Sequence, residues 1–167
     1  MNRLSLGLSL AIVLSSVLTT ALPASAQNAS QISRVRAGQS CPGCNLFQGD
    51  FTGMEVRGLN LGGARLRQSD LSLAVMNRTN FSRGDLRDIE AYGAVLSSSN
   101  FSGTNLTNAS LVGVYLDGAN LSGATLSGAN FSGATLARAT GLTQGQLNQA
   151  CGDETTVLPR GLRIPAC

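Results

Sequence analysis

From residue 44 onward an apolar residue recurs every five positions, without a gap, for nineteen units. The centres run Leu46, Phe51, Val56, Leu61, Leu66 and on to Leu136, with Ala91 the single small one. A period of five fits neither regular element. An α-helix turns about 100° per residue, so a step of five scatters successive centres round its axis. A strand alternates faces at every residue, so an odd period sends successive centres to opposite faces. All the centres share one side only if the chain coils. Each unit then forms one short side ending in a turn, with the centre and the small residue two before it pointing inward. The second position of a unit is often Asn or Asp, and the last two are polar or Gly, as turns require.

The flanks divide the rest. Asn2 and Arg3 precede an apolar run over 6–22 and then Ala24-Ser25-Ala26, the small-x-small pattern of a cleaved export leader. The run is short for a membrane span of about 20 residues and contains several Ser and Thr. No Cys follows it closely, so lipid anchoring is not expected. The reading is a signal peptide over 1–26, an N-terminal arm and Cys-Pro-Gly-Cys turn over 27–43, the repeat array over 44–138, and a capping helix with a tail over 139–167. The polar arm has only Ile32 and Val35 as large apolar residues, and reads either as a helix lying over the first coil or as disordered chain. The expected location is the periplasm, a thylakoid lumen or the exterior, free of membrane once the leader is removed.

Charge and residue types exclude much chemistry. Without Arg3 the chain carries eleven Arg against nine acidic residues, too even a balance to argue for nucleic acid or an anionic membrane. There is no Lys and no His, which removes imidazole bases, His metal sites and Lys nucleophiles. A Ser nucleophile would need an unusual base, so no catalytic residue, cofactor or metal is expected. Asn-x-Ser/Thr recurs, as at Asn100 and Asn120, but the repeat itself generates it.

Four Cys in an exported chain of this size read first as two disulfides. Cys41-Pro42-Gly43-Cys44 has Pro then Gly at the centre of a four-residue turn, the preference of type II, which brings its ends together. The rival reading is a thiol-disulfide redox pair, but that motif ordinarily opens a helix, and here it opens the array. Two sulfurs are half a zinc site, and Asn45 stands where a haem motif needs His.

The unit A(D/N)Lxx, unaltered in ANLSG over 119–123 and nearly so in ANFSG over 129–133, resembles that of the pentapeptide-repeat family. The resemblance implies an all-β solenoid, a right-handed quadrilateral β-helix with four units and twenty residues to a turn. It implies no common chemistry. DNA mimicry, known for strongly acidic cytosolic members, does not suit this charge balance or an export leader. With four sides, residues twenty apart stack, Phe81 lies over Phe101, and the array spans roughly 23 Å at about 4.8 Å per coil. Two cysteine pairs at opposite ends of such a rod cannot cross, since bridged Cα atoms lie within about 7 Å. The expected disulfides are therefore Cys41 to Cys44 and Cys151 to Cys167. Ile89 is expected to fill the space that Ala91 leaves. Ser69, Thr79, Ser99 and Thr104 take inward first positions, where their hydroxyls must reach backbone carbonyls. The open C-terminal edge needs a cover, and Thr143 to Gln146 resembles a capping box.

Exposed columns carry what functional signal remains. Asp50, Asp70 and Glu90 stack, with Arg67 and Arg87 just before them and Arg65 over Asp85. Each carboxylate of the column is expected near Arg67 or Arg87, a self-neutralising patchwork in preference to a partner-docking stripe or an ion site. Val75, Val95 and Tyr115 form an apolar outer column, covered by the N-terminal arm or by another protein. The reading is a non-enzymatic exported scaffold or protein-interaction module, its partner another protein docking on the early coils. The alternatives are the redox pair Cys41 and Cys44, and ligand or ion binding on the charged side.

Overall fold

The computed structural model describes residues 27–167; the leader read in 1–26 lies outside them. After every centre the chain bends. At most centres the amide three residues beyond donates to the centre's carbonyl, as Gly49 N to Leu46 O at 2.9 Å and Ala64 N to Leu61 O at 3.0 Å. The residue two beyond the centre has positive φ at every corner from Gln48 to Gly133. A single left-handed residue at the third place of a four-residue turn is type II geometry. Glycine occupies ten of these eighteen corners; Gln48, Gln68, Leu73, Arg78, Arg83, Asp88, Ser98 and Asn108 occupy the rest.

Four turns close one coil. Asn45 bridges Arg65, Asp50 bridges Asp70, Glu55 bridges Val75 and Asn60 bridges Asn80, all parallel, and the spacing of twenty persists to Asn120 with Thr140. Each bridge is a pair of backbone bonds: Arg65 N donates to Cys44 O, and its carbonyl accepts from Leu46 N, both at 2.8 Å. The rod therefore has a first side carrying the Leu46 column, a second carrying Phe51, a third carrying Val56 and a fourth carrying Leu61. Inside, the centres are buried except Val56, which is half-buried at the N-terminal end. Burial of each is worth roughly 1.5–3 kcal/mol. Phe81 and Phe101 stack with centroids 5.0 Å apart and planes 13° apart. Ile89 and Ala91 are both buried, the large residue having moved from the centre to the first position. Gly49 takes another first position because a Cβ there would lie 2.5 Å from the Phe51 ring.

Three of the four inward hydroxyls behave as expected: Ser69 donates to Leu46 O at 2.8 Å, Ser99 to Met76 O at 3.1 Å and Thr104 to Phe81 O at 2.8 Å. Thr79 does not, and its buried hydroxyl is left without a partner. The equivalent acceptor, 23 residues back, is the carbonyl of Val56, the one centre that is not fully buried.

Both edges of the ladder are covered. Helix α1, Ala29–Arg36, is capped by Asn28, whose side chain accepts from Gln31 N. It buries Ile32 and Val35, while the Gln31 side chain accepts from Asn45 N at 2.6 Å and Arg36 donates to Asp50 O at 2.6 Å. The arm is thus a helix over the first coil. The Cys-Pro-Gly-Cys turn extends the fourth side by one step, with Cys41 N on Asn60 O and Gly43 N on Gly62 O, both at 2.9 Å. At the far end α2, Gln144–Leu147, has a complete capping box between Thr143 and Gln146 and buries Leu147. Gln146 Nε2 donates to Leu121 O at 3.0 Å and to Ala124 O at 2.9 Å, meeting carbonyls at the open end. Beyond it Cys151 bridges Asn130, Val157 bridges Thr135 and Gly152 bridges Ala166.

Candidate functional site

The cysteines pair within the two ends: Cys41 with Cys44, Cα atoms 5.5 Å apart, and Cys151 with Cys167, Cα atoms 4.8 Å apart. Cys41 is 2% exposed, and α1 ends before it. Among the described residues no helix N-terminus points at either sulfur of the first pair, so the arrangement that ordinarily activates a redox thiolate is missing there.

On the second side Asp50, Asp70 and Glu90 do stack through the parallel bridges, but the charges pair differently from the expectation. Arg87 makes a fork to Asp85, Nε to Oδ1 and Nη2 to Oδ2, each 2.7 Å. Arg67 reaches Asp88 at 3.3 Å, and Asp50 meets Arg36 of α1 at 3.4 Å. Asp70 and Glu90 make no ion pair among the described residues. The cause is local. A second-position Asp turns its carboxylate toward the amide two residues on, as Asp50 does to Thr52 at 3.0 Å and Asp70 to Ser72 at 2.8 Å. Arg87 stands two residues after Asp85 and meets that carboxylate first, and Arg65 over Asp85 forms no ion pair. Hydrogen bonding from Arg87, together with its charge, holds the Asp85 carboxyl below its ordinary value and raises Arg87. The Thr52 amide does the same for Asp50, and the hydroxyl of Thr155 for Asp153. Among the described residues no three acidic or cysteine side chains converge as metal ligands would.

The fourth side is a closed polar surface. Asn60, Asn80, Asn100 and Asn120 stack, each accepting from the amide two residues on at 3.0–3.1 Å; Asn80 also donates to Asn60 at 3.0 Å. The third side is its opposite. Its second positions are Glu55, Val75, Val95, Tyr115 and Thr135, extended by Val157 through its bridge to Thr135, and none is Asn or Asp. Leu73 and Tyr92 stand at the corner leading into it. Leu73 is 58% exposed, Tyr92 59%, Tyr115 52% and Val157 47%, the four large apolar residues that the described chain leaves most open. The arm does not cover this stripe, because Ile32 and Val35 are turned inward on the first coil.

A last feature escaped the sequence reading. Arg57, Asn77, Arg78, Ser97 and Ser98 line a pocket of about 240 Å³ where the third side meets the fourth. Residues 57, 77 and 97 share one corner because they are twenty apart, so the register alone could have brought them together.

The pentapeptide-repeat model matches residues 57–89, 99–138 and 115–150, in eight copies. No curated protein matches the chain in sequence. Among solved structures the chain is similar to HetL, a pentapeptide repeat protein involved in heterocyst differentiation regulation in the cyanobacterium Nostoc sp. strain PCC 7120, at 26% identity and a TM-score of 0.53. That match covers 72% of this chain and spans 60% of HetL. A second Nostoc pentapeptide repeat protein, alr5209, is 24% identical with a TM-score of 0.54, over 82% of this chain and 88% of that one. One from the Arabidopsis thaliana thylakoid lumen is 27% identical with a TM-score of 0.41, over 63% of this chain and 71% of that one. A parallel ladder of period twenty, a bend in every unit and the matched repeats agree: the chain belongs to the pentapeptide-repeat family.

Proposed function

We infer that this protein is an exported, non-enzymatic scaffold, wound right-handed as the resemblance implies, that holds a protein partner against the second and third sides of its rod. One observation carries the reading: the fourth side is sealed by an asparagine ladder, whereas the third presents Val75, Val95 and Tyr115, with Leu73 and Tyr92 at its edge. A contiguous apolar patch rimmed by polar groups is the mark of a protein-interaction surface. The acidic column adjoins it across that same corner. Asp70 and Glu90, left without ion pairs, give that rim its charge, and Asp50 continues the column toward α1. Arg67 and Arg87 are engaged by Asp88 and Asp85 at the farther corner, where they set the charge of the outer rim. HetL's involvement in a regulatory process fits a role through partners. The leader over 1–26 and the four cysteines support export. The absence of His and Lys from the sequence, with Cys41 buried, supports a role without catalysis.

The test uses the mature chain as bait in the exported compartment, and a partner recovered there is then titrated against variants. Tyr115→Ser with Val95→Asp is expected to weaken binding at least tenfold while the melting temperature stays within about 2 °C. Charge reversal of Asp70 and Glu90 is expected to change the salt dependence of association. Equal binding by all the variants would move the docking surface elsewhere.

A further inference from the structure

The corner between the third and fourth sides differs in its charge from the corner that carries Arg67 and Arg87. There each arginine has a carboxylate. Here Arg57 and Arg78 have none: among the described residues neither side chain makes an ion pair or a hydrogen bond, whereas Arg67 and Arg87 each hold a carboxylate; Arg34, Arg65, Arg83, Arg160 and Arg163 are also without ion pairs, but Arg57 and Arg78 share one pocket. Farther along this corner stands Asp117, held by Arg138 at 3.2 Å. Glu55, two residues before Arg57, does not form the fork that Asp85 forms with Arg87.

Two further observations point to a ligand. The pocket adjoins the apolar third side, since Val75 and Val95 stand two residues before Asn77 and Ser97 of its lining. That lining holds two guanidinium groups and no carboxylate.

We propose that the pocket binds a carboxylate of an acidic peptide segment in the protein partner. Arg57 and Arg78 donate charge-assisted hydrogen bonds to the carboxylate, a match of planar fork to planar acid. The hydroxyls of Ser97 and Ser98 complete its shell. A bare oxyanion such as sulfate satisfies the arginines but has no apolar flank to lie on Val75 and Val95. The proposal rests on the docking reading above and adds the partner's chemistry: an extended stretch in which an acidic residue adjoins apolar ones, the latter lying on Val75, Val95 and Tyr115.

The experiment follows isotope-labelled mature protein, disulfides intact, by nuclear magnetic resonance. Three probes are titrated: acetyl-Asp-Leu-Asp-Leu-Asp-Leu-amide, the same peptide with Asn for Asp, and sodium sulfate. The aspartyl peptide is expected to shift the side-chain Nε–H signals of Arg57 and Arg78, with a Kd on the order of 1 mM, the weak affinity of a short flexible ligand. The asparaginyl peptide should bind at least tenfold more weakly. The Arg57→Gln, Arg78→Gln double variant should lose the aspartyl peptide to a similar degree and keep its melting temperature. Equal binding of both peptides overturns the proposal and leaves the apolar stripe standing as a docking surface. Sulfate shifting the two arginines as strongly as the peptide also overturns it, reducing the pocket to an unselective anion site. Absence of any shift with either peptide overturns it too, and the Tyr115 and Val95 variants judge the docking reading independently.

Discussion

At the scale of single residues the coil is sensitive to volume and to hydrogen bonding, because each inward position is walled by the coils above and below. Ile89→Ala removes buried atoms beside an alanine that cannot refill the space. It should cost roughly 2–5 kcal/mol in denaturant unfolding, and a variant as stable as the parent would place Ile89 outside the core. Thr79 and Ser99 make a sharper pair. Thr79→Val removes a buried hydroxyl that bonds to nothing and keeps the volume, so it should stabilise by about 1 kcal/mol; Ser99→Ala loses the bond to Met76 O and should destabilise by about the same amount. If the two substitutions move the melting temperature in one direction, the hydrogen-bond assignment is wrong. Much at this scale is legible in the sequence: the inward centres and the exchange between Ile89 and Ala91 follow from the period, and the Phe81–Phe101 stack follows from the four-unit coil that the resemblance implies. The unmet hydroxyl of Thr79 does not, because it depends on how well Val56 packs. Nor do the partners of Arg67 and Arg87, because a five-residue register places Cα atoms and leaves a long side chain free to choose among carboxylates.

At the scale of elements, the corners and caps decide how the ladder begins, turns and ends. The two disulfides close loops of very different length, with sequence separations of 3 and 16. Loss of Cys151–Cys167 through Cys→Ala at both positions should therefore cost about 3 kcal/mol and free the tail, the chain-entropy expectation for a loop of that size. Loss of Cys41–Cys44 should cost less. Amide exchange at Cys151 and Val157, which lie on the last coil, reports the first effect directly; unchanged protection there would mean that α2 holds the edge unaided. Acid acts on the same elements. Asp50, Asp85 and Asp153 are all held below the ordinary carboxylate value in the folded chain. Their contribution is therefore fully present above about pH 4 and is lost as pH falls through their lowered values. The melting temperature should drop on acidification below about pH 4, and Asp85→Asn should flatten that drop. An equally steep fall in the variant would show that the fork to Arg87 contributes nothing. The Asx turn behind the Asp50 shift is readable as Asp at a second position, but the exclusion of Asn and Asp from the third side becomes visible only when the chain is folded into fours.

For the whole molecule, the account holds that four geometrically similar sides are chemically unequal, with the partner on the apolar third side and its acidic neighbour. One coil offers a direct comparison, because Asn105, Ser110, Tyr115 and Asn120 occupy the same position on the first, second, third and fourth sides. Replacing each in turn by Arg and measuring the affinity of the recovered partner reads the rod's circumference one side at a time. The account predicts that Tyr115→Arg loses at least tenfold, Ser110→Arg loses less, and Asn105→Arg and Asn120→Arg bind as the parent does. An undiminished affinity in Tyr115→Arg, or a loss confined to Asn105→Arg or Asn120→Arg, would contradict it.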